Sequence, residues 1–350
     1  MNAFKARQFV FGVIVVAGLA SHSAATDGVR QQAGTKGPEV RAEAVVSRIE
    51  VDAFVLGPGG GPIPELKKEN FRLLVDGLPV PLESAEWLPA NDPERGRPPV
   101  ALRRPEDPIL PGRLFVIVCQ TDFGRIRAKG QMSLISEAGP FLEALLPTDR
   151  VAVVSFDSHL KLRQDFTSDR VLIKDAMERS LLIEKVEPWE GGAFPSLGAG
   201  LDPVESRKAA SIDRSLELIA KALKPFPGPK AILFLGWGLA VNHSPREGRE
   251  LGRALAALLD ARVHVFTLDV SQADFHSLEV GLMSLSEATG GTYQKTHVFS
   301  GGLERVQRHL EGRYQLVFEK PALGYTGYHK IEVELVGRKG RVLSRPGYED

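Results

Sequence analysis

Gln120, Thr121, Asp122 and Gly124 follow the apolar run Arg113–Cys119 and put several polar groups into one short turn. Hard cations are held by oxygen-rich shells, and Asp122 is the one charged side chain this turn could offer to such a shell. Trp237 stands between two glycines at the end of another apolar run. Ligands of open α/β sheets bind outside the carboxyl ends of the strands, so an aromatic there either touches a ligand or plugs a space. Ser155, Asp157 and His159 supply the residue types of a hydrolytic triad. Neighbouring strand residues point to opposite faces, however, and so tight a turn does not converge the three side chains. The eight histidines show no paired spacing of the zinc type, and no second ligand is expected near His264, His276 or His297. Gly57–Gly61 lacks the lysine and following helix of a phosphate loop. Cys119, the single cysteine, lies inside an apolar run, cannot form an internal disulfide and is expected to be a buried, inert side chain. No paired carboxylates, nucleophile–base pair or phosphate loop emerges, and the sequence points to a protein that is not an enzyme and carries no cofactor.

The elements that position these residues change period along the chain. From Val40 to Trp87 the pattern is strand-like: Val45–Leu56 is rich in β-branched residues, Gly57–Pro62 interrupts it, and Phe71–Val75 resumes it before the turn at Asp76-Gly77. Residues 89–112 are dense in proline and arginine and form a linker. Beyond it, apolar strands alternate with amphipathic helices. Strands are expected over Arg113–Cys119, Val151–Phe156, Leu160–Phe166, Ala231–Leu235, Val263–Val270 and Thr292–Gln294. Helices are expected over Lys129–Leu146, with a break or kink at Pro140, and over Asp169–Leu182, capped by Asp169. A long helix ends near Leu223, and others span Arg249–Ala261, Ser277–Ala288 and Gly302–Glu311. This alternation implies a doubly wound, mostly parallel sheet covered on both faces. The brief connection at Asp157–His159 makes one edge strand antiparallel. Strands return over Tyr314–Phe318, His329–Val336 and Arg341–Ser344. Neither terminal set can bury a core alone, so the two are expected to pair into one small β-sandwich with the α/β segment inserted between them.

The domain plan is therefore 40–88 and 313–350 for the two parts of the β-domain and 113–312 for the α/β domain. Ahead of them, 1–25 has a basic start, an apolar stretch too short to span a bilayer and small residues for cleavage, the layout of a secretory signal peptide, and 26–39 is a flexible lead-in. Export to the periplasm or beyond is expected, with no stable membrane span after cleavage. The chain has 350 residues, 43% of them hydrophobic and 25% charged, with 44 basic residues against 44 acidic ones. Zero formal net charge leaves no electrostatic footprint for a nucleic acid.

Residues 113–312 resemble the von Willebrand factor type A domain, with a strand ending in a polar loop, an early hairpin and helices on both faces. The segment Glu65–Gly77 and the ending Gly312–Phe318, His329–Leu335 and Arg345–Tyr348 are similar to segments of exported bacterial proteins related to that domain and common in acidobacteria. In members that bind a cation, an aspartate and two serines from the pattern D-x-S-x-S, a threonine from a second loop and an aspartate from a third hold magnesium or manganese. In this chain the first three positions fall on Gln120, Asp122 and Gly124, the threonine position on Ala193 after Gly191-Gly192, and the last on Gly236 or Trp237. The resemblance thus implies a degenerate site, since magnesium surrenders its water reluctantly and one carboxylate is a poor inducement. Asp122 is then expected to cap the turn or the following helix.

Those readings lead to an exported, non-enzymatic adhesion-type module that binds an envelope or extracellular protein without a bridging metal. The loops 120–125, 189–196 and 236–242 would present the face, with Asp122, Arg125 and Trp237 as its contacts. One alternative keeps the fold and binds magnesium through Asp122; another is an envelope hydrolase with a site built from distant residues.

Overall fold

The computed structural model describes residues 47–90 and 112–349, apart from 123, 183–184, 187–188, 190–191, 228–229, 241–244 and 297–300. The expected signal peptide, lead-in and most of the linker lie outside the described residues, as does His297. No helix among the described residues is long and apolar enough to cross a membrane.

The chain enters through β1 (Arg48–Leu56), β2 (Phe71–Val75), β3 (Leu78–Val80) and β4 (Leu82–Pro89). Asp76 and Gly77 both adopt positive φ (51° and 79°), the pair of left-handed conformations that a two-residue hairpin turn requires, and they join β2 to β3 in register. The six residues Val51–Leu56 are all buried, because β1 has no solvent face. Val51, Ala53 and Val55 enter one core, while Phe54 and Leu56 enter another. That explains why the sequence alternates only partially there.

The α/β segment follows. It comprises β5 (Leu114–Gln120), α1 (Arg125–Ser136), α2 (Gly139–Glu143), β6 (Arg150–Phe156), β7 (Leu160–Thr167), α3 (Arg170–Arg179), α4 (Pro203–Lys208) and α5 (Ile212–Leu223). It continues through β8 (Lys230–Gly236), α6 (Pro245–Asp260), β9 (Val263–Asp269), α7 (Glu279–Ala288), β10 (Tyr293–Lys295) and α8 (Gly302–His309). Its six strands lie in the order β10-β9-β8-β5-β6-β7, all neighbours parallel except β6 and β7. This is the doubly wound order, with its switch point between β5 and β8. Apolar side chains of α5, α6 and α7 cover one face of the sheet, and those of α1, α2, α3 and α8 the other. Asp169 caps α3 as expected, accepting from Val171 N and Leu172 N.

The helix expected over 129–146 breaks at Pro140, as expected, into two helices, and the first begins at Arg125, ahead of the expected start. The long helix expected to end near Leu223 is instead two: Asp202 caps α4, and Ser211, in extended backbone, caps α5 anew.

The tail supplies β11 (Gly312–Glu319), β12 (Tyr328–Leu335), β13 (Arg341–Ser344) and β14 (Gly347–Glu349). These pair with the entry strands in two antiparallel sheets, β13-β1-β11-β4 and β14-β12-β2-β3. A core containing Val51, Leu73, Tyr314, Phe318 and Ile331 fills the space between them. The α/β sheet is thus inserted between two halves of a small β-sandwich, and everything from Val46 onward forms one compact unit. The outer face of β1 packs on the α/β segment, where Phe54 meets the rings of His264 and Phe266 edge-on at 4.9 and 6.2 Å. Arg262, at φ 54°, reaches from the end of α6 to Glu50 and Asp52 at 3.2 and 2.6 Å. Burial opposes the charge on Asp52, but Arg313 and Arg262 outweigh it and hold its carboxyl well below the usual range.

Candidate functional site

β5 and β8 end side by side at the switch point, and the loops leaving them carry the residues singled out from the sequence. Gln120, the last residue of β5, is buried. Its Oε1 accepts from Trp237 N at 3.0 Å and from Gly238 N at 3.3 Å, while its Nε2 donates to Gly238 O at 3.0 Å. One amide therefore ties two loops by both of its polar ends. A Cβ on Gly236 would meet that same Oε1 at 2.7 Å and the Phe234 ring at 2.4 Å, so residue 236 must be glycine for the amide to lie where it does.

Asp122 accepts from Gly124 N at 2.8 Å, and Gly124 is the N-cap of α1. The carboxylate caps the turn, as expected. Its second oxygen pairs with Arg127, whose guanidinium lies 3.8 Å from the centroid of the Trp237 ring. A cation over an indole face is attracted by the ring quadrupole. Arg127 thus brings one positive charge between Asp122 and Trp237. The sequence reading missed it, because α1 was expected to start only at Lys129. Trp237 is half-buried against the core under α1, and its indole N–H meets no acceptor among the described residues. Arg125 is exposed at the first turn of α1.

The second loop is held from beneath by a buried carboxylate. Asp165 of β7 accepts from Ser196 Oγ at 2.5 Å and Leu197 N at 2.7 Å. Ala193 and Phe194 are exposed on that loop, and Phe194 rests against Phe226 with ring centroids 5.3 Å apart. The structure therefore brings Gln120, Asp122, Gly124, Gly236 and Trp237 into one network and leaves Ala193 on a separately anchored loop. Gly191 lies outside the described residues.

One expectation is overturned. His276 has a neighbour: its Nε2 lies 2.8 Å from Asp269 Oδ2, and Asp269, His276 and Glu279 place ligand atoms within 4.8 Å of one another. Asp269 ends β9, in register with Gly236, and is buried. The irregular loop from Val270 to Leu278 folds His276 back onto it, which spacing alone does not reveal. One imidazole and two carboxylates are a donor set that zinc accepts. The same oxygens are held by other groups, however. Tyr293 OH donates to Asp269 at 2.8 Å and Lys295 Nζ sits 2.6 Å from Glu279. Burial, then the two carboxylates, pushes the Tyr293 hydroxyl far above its usual range.

The triad residues do not converge. Ser155 is buried and accepts from Arg163 at 2.8 Å, Asp157 pairs with Lys161 at 2.6 Å, and His159 Nδ1 faces Ser158 Oγ at 3.0 Å. Burial pushes the Cys119 thiol up to about 11, which suits an inert side chain. Two large apolar groups that the sequence reading did not single out are exposed on neighbouring elements, Ile126 in the first turn of α1 at 63% and Phe275 in the loop after β9 at 75%.

No family model matches this sequence, and no curated protein does. Solved structures are similar to it at low identity. The conserved hypothetical protein BatB from Bacteroides thetaiotaomicron is 13% identical, with a TM-score of 0.39, covering 56% of this chain and 97% of its own. An aerotolerance-related membrane protein from Bacteroides fragilis is 12% identical with a TM-score of 0.38, covering 57% of this chain and 98% of its own. A von Willebrand factor type A protein from Catenulispora acidiphila is 11% identical with a TM-score of 0.41, covering 83% of this chain and 74% of its own.

Proposed function

We propose that the protein is an exported, non-enzymatic binding module that engages a protein partner through the loops at the carboxyl ends of β5 and β8, without a bridging metal. The observation that carries this reading is the occupation of the would-be ligands by the protein's own groups. Gln120 spends its carbonyl oxygen on two backbone N–H groups, and Asp122 spends its carboxylate on Gly124 N and Arg127. A magnesium ion would have to displace a guanidinium and break the turn contact to Gly124 N to gain one carboxylate, a poor exchange for a strongly hydrated ion. What the loops offer instead is an indole with an arginine stacked on it, beside exposed apolar side chains at Ile126 and Phe275, and aromatic and arginine side chains are those enriched at protein interfaces.

Two measurements test it together. Calorimetric titration with magnesium chloride is expected to show no saturable uptake in the sub-millimolar range. Capture of an envelope protein by the immobilised chain is expected to persist in EDTA and to be lost in the Trp237→Ala, Arg125→Ala double variant. Magnesium uptake that disappears in Asp122→Ala, or capture abolished by EDTA, would sink the metal-free reading in favour of a cation-dependent one. Capture unchanged in the double variant would refute the proposed face.

A further inference from the structure

At the opposite pole of the α/β sheet, where α5 and α6 end before β8 and β9 begin, the helices and the last strand of the sandwich enclose a cleft of about 670 Å³. Volumes of this order are those of small-molecule sites. The cleft is bounded by Lys221 of α5 and Lys224 at its C-cap, Arg253 and Asp260 of α6, Arg262, Tyr328 of β12, and Arg345 beside β14. Its charges do not balance locally. The buried carboxylate of Glu217 serves three cations, Arg214 at 2.8 Å, Lys221 at 2.6 Å and Arg253 at 3.8 Å. Asp260 pairs with Lys224 at 2.6 Å, and Arg262 turns away to Glu50 and Asp52. Arg345 donates through Nη2 to the carbonyl of Glu50 at 2.7 Å, and its buried Nε has no partner among the described residues. Burial, then the repulsion of Arg262, lowers the pKa of Arg345, the mark of a guanidinium short of negative charge. Tyr328, 49% exposed, adds an aromatic wall. A Cβ on Gly347 would meet the tip of the Tyr328 ring at 2.5 Å and His329 O at 2.3 Å, so a glycine there lets the ring lie down on β14.

We propose that this cleft binds a small organic polyanion bearing carboxylate or phosphate groups, held between Arg253 and Arg345 and flanked by the Tyr328 ring. Guanidinium forks fit both anions with paired hydrogen bonds, and two of them lining one cleft favour a ligand with at least two anionic groups. A nucleic acid is disfavoured, because the cations gather around one cleft instead of lining a stripe and the chain carries no net charge. The site is independent of the loop face at the other end of the sheet, so either assignment can fail without the other.

Calorimetric titration of the full chain with citrate and, separately, pyrophosphate at low ionic strength tests the proposal and distinguishes the two anion chemistries. Saturable binding of one or both is expected, weakening as salt rises and falling ~10-fold or more in Arg253→Gln and in Arg345→Gln, the loss of a charge-assisted hydrogen bond. Arg253 is an exposed helix residue, so its variant keeps the fold even if loss of the Arg345 contact to β1 loosens the seam. Absence of binding by both probes, or binding undiminished in Arg253→Gln, would overturn it.

Discussion

Gln120 shows how a single residue sets the character of the loop face. An aspartate in its place could accept the two N–H groups but could not donate to Gly238 O, so the amide is the side chain that satisfies both halves of the neighbouring loop. Gln120→Ala is expected to destabilise the protein by about 1–3 kcal/mol, because it strands buried backbone groups. Urea unfolding followed by tryptophan fluorescence measures this, and an unchanged midpoint would show that the amide is dispensable. The identity of Gln120 was legible in the sequence, since the position is fixed by the end of an apolar run, and so was the capping role of Asp122. Arg127 was not, because its pairing with Asp122 depends on where α1 begins. Nor was the Asp269–His276 contact, which is made by a loop that carries no periodic signal.

Helices and strands were legible in proportion to their length and periodicity. The doubly wound order, the β6–β7 hairpin and the Asp169 cap all follow from patterns that local chemistry enforces. The break between α1 and α2 was legible through Pro140, but the one between α4 and α5 was not, because the apolar pattern runs on through it and only tertiary contacts choose the cap. β3 and β14, three residues each, are too short to carry a period. Two glycines separate helix propensity from packing. A Cβ on Gly130 of α1 would sit 2.1 Å from Val270 O, whereas one on Gly252 of α6 meets nothing within 4 Å. Gly252→Ala should therefore stabilise by roughly 0.5–1 kcal/mol. Gly130→Ala should destabilise by about 1–3 kcal/mol although alanine is the better helix former, since α1 cannot move off the loop after β9 without strain. Thermal melts of the two variants should move in opposite directions; stabilisation by both would mean that α1 has slack there.

On the scale of the whole molecule, the seam between the sandwich and the α/β segment is sensitive to acid. Burial pulls the His264 imidazole down to about 4 from its ordinary 6.5. Between those values the unfolded chain takes up a proton that the folded chain refuses. The contribution of neutral His264 is thus complete above about 6.5 and is lost as pH falls toward 4, on the order of 3 kcal/mol in all. Urea midpoints at about pH 7 and 4.5 should converge in His264→Phe relative to the native chain; equal pH sensitivity in both would assign the effect to other groups. The same seam joins the two ends of the chain. Both neighbours of β1 in its sheet, β11 and β13, come from the tail, and the Arg345 contact to Glu50 spans 295 residues. Loop closure over such separations is slow, and strand edges stay open until it happens. Until residues 312–344 are present, β1 is therefore left with two unpaired edges. A chain cut before residue 312 is expected to aggregate through those open edges instead of folding.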